Sequence, residues 1–164
     1  MKHSVAFRVD SGVRVGSGHV MRCLALARKL RENGHESVFI CRPSLGSMES
    51  WIKNEGFLVE ILPESDGARD VDSQLMHGDF LSSTIREDAD ATLRCLEIYP
   101  AIGMVVVDHY GICRPWDDIV GQKCKLIKID DLADRRHKCS VLIDQNFYID
   151  STNRYNGLIE SSSR

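Results

Sequence analysis

The chain has 164 residues, 43% of them hydrophobic and 27% charged, with a formal net charge of −3 and a pI near 6.1. That balance fits a single globular domain and excludes a disordered chain, and its mild acidity gives no reason to expect nucleic acid or an anionic membrane as a partner. No apolar run approaches membrane-spanning length, the N-terminus lacks the apolar core of a signal peptide, and the six cysteines show no CxxC spacing, so a cytoplasmic protein with reduced thiols is expected.

In chain order, Ser4–Val9 is short, apolar and β-rich, and the glycine-rich stretch 10–18 follows it. Val20, Leu24, Ala27 and Leu30 then recur at helical spacing, which predicts a helix from His19 to about Gly34. Residues 37–41 read as a second strand broken by Pro43, 48–55 as a short helix closed by Gly56, and 57–62 as a third strand stopped by Pro63. The polar stretch 64–78 reads as a surface loop. Residues 80–99 read as a long helix with Leu81, Ile85, Ala89, Leu93 and Leu96 on one stripe. The nearly unbroken apolar run 102–107 is expected of a strand covered on both faces. A short helix over 116–121, a strand over Lys125–Ile129 and another over 141–144 complete the alternation, and the polar tail 151–164 is expected to fray. This order predicts an α/β fold, a doubly wound, mostly parallel, Rossmann-like sheet in a domain spanning 1–150.

The loop R-V-D-S-G-V-R-V-G-S-G-H-V-M-R, residues 8–22, carries the most chemistry. Gly12, Gly16 and Gly18 permit positive-φ turns and close backbone approach, and a helix opening there aims free N–H groups at the mouth of the fold. An imidazole at position 19 is placed to accept a proton. Met21 stands where a dinucleotide fingerprint needs its third glycine, and the second strand ends in Arg42 where an acidic residue is expected, which weakens a dinucleotide reading. No Lys-Ser/Thr pair follows the glycines, so the loop is not a P-loop.

The string G-S-G-H-V-M-R-C-L-A-L-A after R-V-D, together with V-V-V-D-H-Y at 105–110, I-D-D-L-A-D-R at 129–135 and D-Q-N at 144–146, resembles the UDP-2,4-diacetamido-2,4,6-trideoxy-β-L-altropyranose hydrolases of pseudaminic acid biosynthesis. That family is similar in fold to the two-domain GT-B glycosyltransferases. The resemblance implies an N-terminal GT-B half, with 151–164 as a tail or the start of a linker and a UDP-binding C-terminal domain absent from the chain. It also implies hydrolysis of a UDP-sugar by inverting attack of water at the anomeric carbon, with no cofactor or metal. As half of a site, the chain by itself is expected to be inactive or nearly so. The competing readings are the acceptor domain of an inverting GT-B glycosyltransferase, or a truncated sugar-binding module without activity.

Ligands of open α/β sheets bind beyond the carboxyl ends of the strands, and that rule selects the same rim as the resemblance. The catalytic candidates are His19 as general base, Asp10 as its orienter or a turn cap, and Tyr110 toward the sugar or leaving group. Gly16, Ser17 and Gly18 are candidates for diphosphate or sugar oxygens, and Arg22, Asp108, His109 and Asn146 for further substrate contacts. Asp130, Asp131, Asp134 and His137 match no strong metal spacing, and Asp130 with Asp131 is expected to tie down a loop. His3, His35 and His77 are expected to have no special role.

Overall fold

The computed structural model describes residues 4–65, 80–149 and 153–161. Strands β1 (Ser4–Val9), β2 (Glu36–Cys41), β3 (Leu58–Ile61), β4 (Ile102–Asp108), β5 (Lys125–Ile129) and β7 (Val141–Ile143) form one sheet in the order β3-β2-β1-β4-β5-β7. Every pairing in it is parallel. Helices α1 (Gly18–Glu32), α2 (Glu49–Asn54), α3 (Ile85–Ile98) and α4 (Arg114–Val120) cover the two faces. The expected Rossmann-like α/β fold is therefore the observed one, and its topological switch point lies between β1 and β4.

Side-chain alternation along the strands builds two cores. Val5, Phe7 and Val9 of β1, Phe39 and Cys41 of β2 and Val106 of β4 pack with Val20, Cys23, Leu24 and Ala27 of α1. Ala6, Ile40, Val105 and Val107 point the other way, onto Leu96 of α3 and Trp116 and Val120 of α4. Phe7 and Phe39 stack with ring centroids 4.9 Å apart, fixing β1 against β2 on the α1 side.

Most boundaries shift from the sequence reading by a residue or two, and three differences have a clear physical cause. Helix α3 starts at Ile85, not at residue 80, because Thr84 forms a capping box: its side chain accepts from the Glu87 N–H at 3.1 Å, and the Glu87 carboxylate accepts from the Thr84 N–H at 2.9 Å. Helix α4 starts two residues early, with Pro115 in its first turn, where a missing N–H costs nothing. The tail does not fray over 153–161: β8 (Ile159–Ser161) pairs in parallel with β6 (His137–Cys139), a two-stranded ribbon absent from the sequence reading. Of the expected 64–78 loop, positions 66–78 lie outside the described residues, as do His3 and His77.

Candidate active site

The chain leaves β1 through a loop closed on itself, with Gly16 N–H donating to Gly12 O at 2.7 Å. Gly12 (φ 155°) and Gly16 (φ 82°) hold the positive-φ positions, whereas Gly18 is the first residue of α1, with Ser17 as its N-cap. The helix thus begins one residue before His19. The Ser17 side chain makes no capping bond, so the first-turn N–H groups of α1 stay available as donors. A Cβ placed on Gly16 or Gly18 meets nothing within 4 Å, which leaves room for a ligand group against the loop.

His19 and Arg22, three apart on α1, lie on one helix face, and both reach the Asp108 carboxylate at the end of β4. His19 Nδ1 lies 2.6 Å from Asp108 Oδ1. Arg22 Nη2 donates to the same oxygen at 2.6 Å, and its Nε donates to Oδ2. The short carboxylate contact assigns the imidazole proton to Nδ1; Arg22 Nη2, 3.0 Å from Nδ1, has Asp108 as its acceptor. That tautomer leaves Nε2 as a base, and it has no protein partner among the described residues. Asp108 is fully buried, and although partial burial opposes the Arg22 charge, the Asp108 carboxylate holds the guanidinium pKa above its ordinary value.

Asp10, expected beside His19, lies elsewhere. It is in a buried ion network on the opposite face of the sheet, 2.5 Å from Arg8 Nη1, and accepts the Arg42 backbone N–H at 2.7 Å. Burial alone would raise its carboxyl, but Arg8 and His109 hold it well below the usual carboxylate range. Arg8 also binds Asp88 of α3 (Nη2–Oδ2 2.6 Å), and Asp88 accepts from Arg42 Nη2 at 2.9 Å and from Trp116 Nε1 at 3.0 Å. His109, expected to face a ligand, is buried in this same network: Nε2 stands 3.1 Å from Asp10, and Nδ1 accepts the Gly111 N–H at 3.0 Å. Burial pushes its pKa down despite Asp10, so it is a neutral strut beneath the site.

Tyr110 stays at the rim, its ring edge-on to His19 at 4.4 Å. Its hydroxyl donates to Asp131 Oδ1 at 2.6 Å, and burial together with Asp131 pushes its pKa up to about 12. Asp131 lies 3.4 Å from Arg22 Nη1 and 2.7 Å from Gln145 Nε2, so it joins the site, where sequence reasoning had made it a loop tie. Asp130 does tie the loop, accepting from Ala133 N–H at 3.0 Å and Arg135 Nη2 at 2.6 Å. Asn146 is exposed at the edge, its Nδ2 3.5 Å from Asp131. Among the described residues, no three His, Cys, Asp or Glu side chains are grouped to hold a metal ion, and no helix is long and apolar enough to cross a membrane.

No family model matches the chain. It is 25% identical over 157 residues to the UDP-2,4-diacetamido-2,4,6-trideoxy-beta-L-altropyranose hydrolase of Campylobacter jejuni, covering 94% of this chain and 46% of that protein. The chain thus spans about half the length of this curated relative. Among solved structures, MurG of Acinetobacter baumannii aligns with a TM-score of 0.52 at 16% identity, covering 81% of this chain and 36% of that one. The calicheamicin glycosyltransferase CalG4 aligns with a TM-score of 0.49 at 17% identity, covering 79% and 32%. The chain has the Rossmann-like α/β fold found in the GT-B glycosyltransferases, and its sequence is distantly similar to that of the Campylobacter UDP-sugar hydrolase.

Proposed function

We propose that this chain is the catalytic-base half of a UDP-sugar hydrolase, in which the rest of the UDP site belongs to a second domain of the kind implied by the relative's greater length. The observation that carries this reading is the His19–Asp108 pair at the switch point, with Nε2 left as a base beside an open helix N-terminus. Water placed at Nε2 attacks the anomeric carbon. Its proton passes to Nε2, the new C–O bond forms, and the bond to the UDP oxygen breaks with its electron pair leaving on UDP, which inverts the anomeric centre. Asp108 holds the Nδ1 tautomer and balances the imidazolium as it forms. The N–H groups at the start of α1 and the space against Gly16 and Gly18 suit diphosphate or sugar oxygens. Tyr110 and Arg22 both lie against the His19 ring.

The test is UDP release from the sugar nucleotide named for the Campylobacter relative, by this chain fused to the remainder of that protein. His19→Asn is expected to lower kcat ~10²–10⁴-fold, the usual worth of a positioned base, with UDP affinity unchanged. Near-normal turnover in that variant removes the general-base assignment. The 164-residue chain alone is expected to release no UDP.

A further inference from the structure

Three side chains that the sequence marks for the site, Arg22, Tyr110 and Asn146, meet on one carboxylate that it does not. Asp131 Oδ1 accepts from the Tyr110 hydroxyl at 2.6 Å, and Oδ2 faces Gln145 Nε2 at 2.7 Å, Arg22 Nη1 at 3.4 Å and Asn146 Nδ2 at 3.5 Å. These donors come from α1, from the turn after β4 and from the turn after β7, so three separate elements converge on Asp131. Burial would raise the Asp131 carboxyl, but Tyr110, Gln145 and Arg22 hold it below its ordinary range, and it stays charged at neutral pH. With its proton aimed at Asp131, the Tyr110 hydroxyl turns lone pairs, not a proton, toward its other neighbours.

The tail fixes Asp131 from the other side. Adjacent tail residues cap adjacent carbonyls: the Tyr155 hydroxyl donates to Asp130 O at 2.7 Å, and Arg154 Nη2 donates to Asp131 O. Arg154 is itself held, its Nε donating to Asp144 Oδ2 at 3.1 Å and its guanidinium lying 3.6 Å over the Tyr148 ring. The turn they secure is strained. Ala133 has φ 52°, a left-handed conformation that a residue with a Cβ keeps only where its surroundings impose it. Asp130 supplies part of that support, its Oδ2 accepting the Ala133 N–H at 3.0 Å.

We propose that Asp131 is a positioning residue for the reaction, holding Tyr110 against His19 and Arg22 on Asp108, and that Arg154 sets Asp131 through its carbonyl, so that the tail is a working part of the site. This assignment rests on the hydrolase reading above. Released from Arg154, a turn strained at Ala133 relaxes, and the Asp131 carboxylate moves with it. Tyr110 then loses its acceptor and Arg22 one of its two carboxylates, while the His19–Asp108 contact keeps both of its own partners. The base survives such a change, but the groups packed around it no longer stand in one geometry.

The test has a spectroscopic and a kinetic arm, each with Asp131→Ala, Arg154→Met and Arg154→Lys. In the 164-residue chain, the edge-on contact of Tyr110 and His19 at 4.4 Å displaces their ring resonances in the aromatic ¹H–¹³C spectrum. Asp131→Ala and Arg154→Met are expected to keep a folded spectrum and move these resonances toward their free positions. In the fused enzyme both are expected to lower kcat ~10–10²-fold with KM within ~2-fold, the loss that follows when a site shifts by about 1 Å. Arg154→Lys, which can still donate to the Asp131 carbonyl, is expected to recover part of both signals. Ring resonances unmoved in both variants, or kcat unchanged in Asp131→Ala, overturn the assignment, and so does a rise in KM alone, which makes Asp131 a ligand contact. A lower urea midpoint without either signal shows a purely structural tie. Equal losses in Arg154→Lys and Arg154→Met remove the tail from the site. Turnover indifferent to His19→Asn sinks the hydrolase reading, and the ring resonances of the chain then still decide whether Asp131 positions Tyr110.

Discussion

Replacing Asp88 with Asn keeps the side-chain shape and removes the one negative charge that Arg8 and Arg42 share in the buried network. Asp88 is fully buried and receives bonds from Arg8, Arg42 and Trp116, so the substitution leaves guanidinium charge uncompensated away from water. Breaking a buried ion pair by removing one partner costs about 3–5 kcal/mol. Arg8 retains Asp10 and Arg42 retains the Pro63 carbonyl, which places the expected loss at the lower end, about 3 kcal/mol. With a urea dependence of roughly 2 kcal/mol per molar, the unfolding midpoint should fall by about 1.5 M. Urea unfolding followed by far-UV circular dichroism measures this on the chain itself. The pH dependence supplies a second reading. Despite their burial, Arg8 holds Asp88 and Asp10 below the ordinary carboxylate range, so the unfolded chain binds protons that the native network refuses. The stabilisation is therefore complete above the unfolded carboxylate pKa of about 4 and is lost as pH falls below it, and the gap between native chain and variant should narrow there. A loss below about 1 kcal/mol at neutral pH refutes the view that this network holds α3 and the site loops to the sheet.

Asp108→Asn in the fused enzyme is expected to lower kcat ~10²-fold or more with KM for the nucleotide sugar little changed, because the imidazole loses its tautomer and its counter-charge; equal loss in KM alone argues against this role. On the proposed reading the α1 N–H groups and Arg22 balance the leaving diphosphate, so UDP release by the fused enzyme is expected to survive EDTA; collapse in EDTA restored by Mg²⁺ or Mn²⁺ overturns that assignment. Tyr155→Phe removes bonds from the phenol to Asp130 O at 2.7 Å and Asp144 Oδ2 at 3.1 Å, and should cost about 1 kcal/mol in urea unfolding. Truncation after Asn146 should cost more because it also unpairs β6; an unaltered midpoint in both shows that the tail does not support the fold.

The sheet was legible because its strands are apolar runs between turn residues, and that signal survives without any tertiary information. The β6–β8 ribbon was not. His137-Lys138-Cys139 and Ile159-Glu160-Ser161 have neither apolar alternation nor length, and they become strands only because His137 N–H finds Leu158 O at 2.8 Å and Tyr155 anchors the tail to Asp130 and Asp144. The start of α3 was legible in principle: Thr84 with Glu87 three residues on is a capping-box signature, although the apolar spacing of Leu81 and Ile85 continues across it. Asp88 left no functional signal in the sequence. It is an acidic residue inside a helical pattern, and its role exists only once β1, β2 and α4 bring Arg8, Arg42 and Trp116 to it.

The exchange of Asp10 for Asp108 as the partner of His19 follows from strand parity alone. On β1, Val5, Phe7 and Val9 face α1, so Ala6, Arg8 and then Asp10 face α3, where Arg8 finds Asp88. On β4 the phase is opposite. Val105 and Val107 face α3, Val106 faces α1, and Asp108, two residues on, faces α1 as well. Val9 and Asp108 are register partners, so Asp108 ends its strand beside the point where the chain leaves β1 for α1. His19 and Arg22, at the start of that helix, then have one buried carboxylate within reach, and it belongs to β4. The same parity sends His109, one residue further, through to the α3 side and onto Asp10. Two adjacent residues at one strand end thereby serve opposite faces: Asp108 holds the His19 imidazole through Nδ1, and His109 braces the layer beneath it.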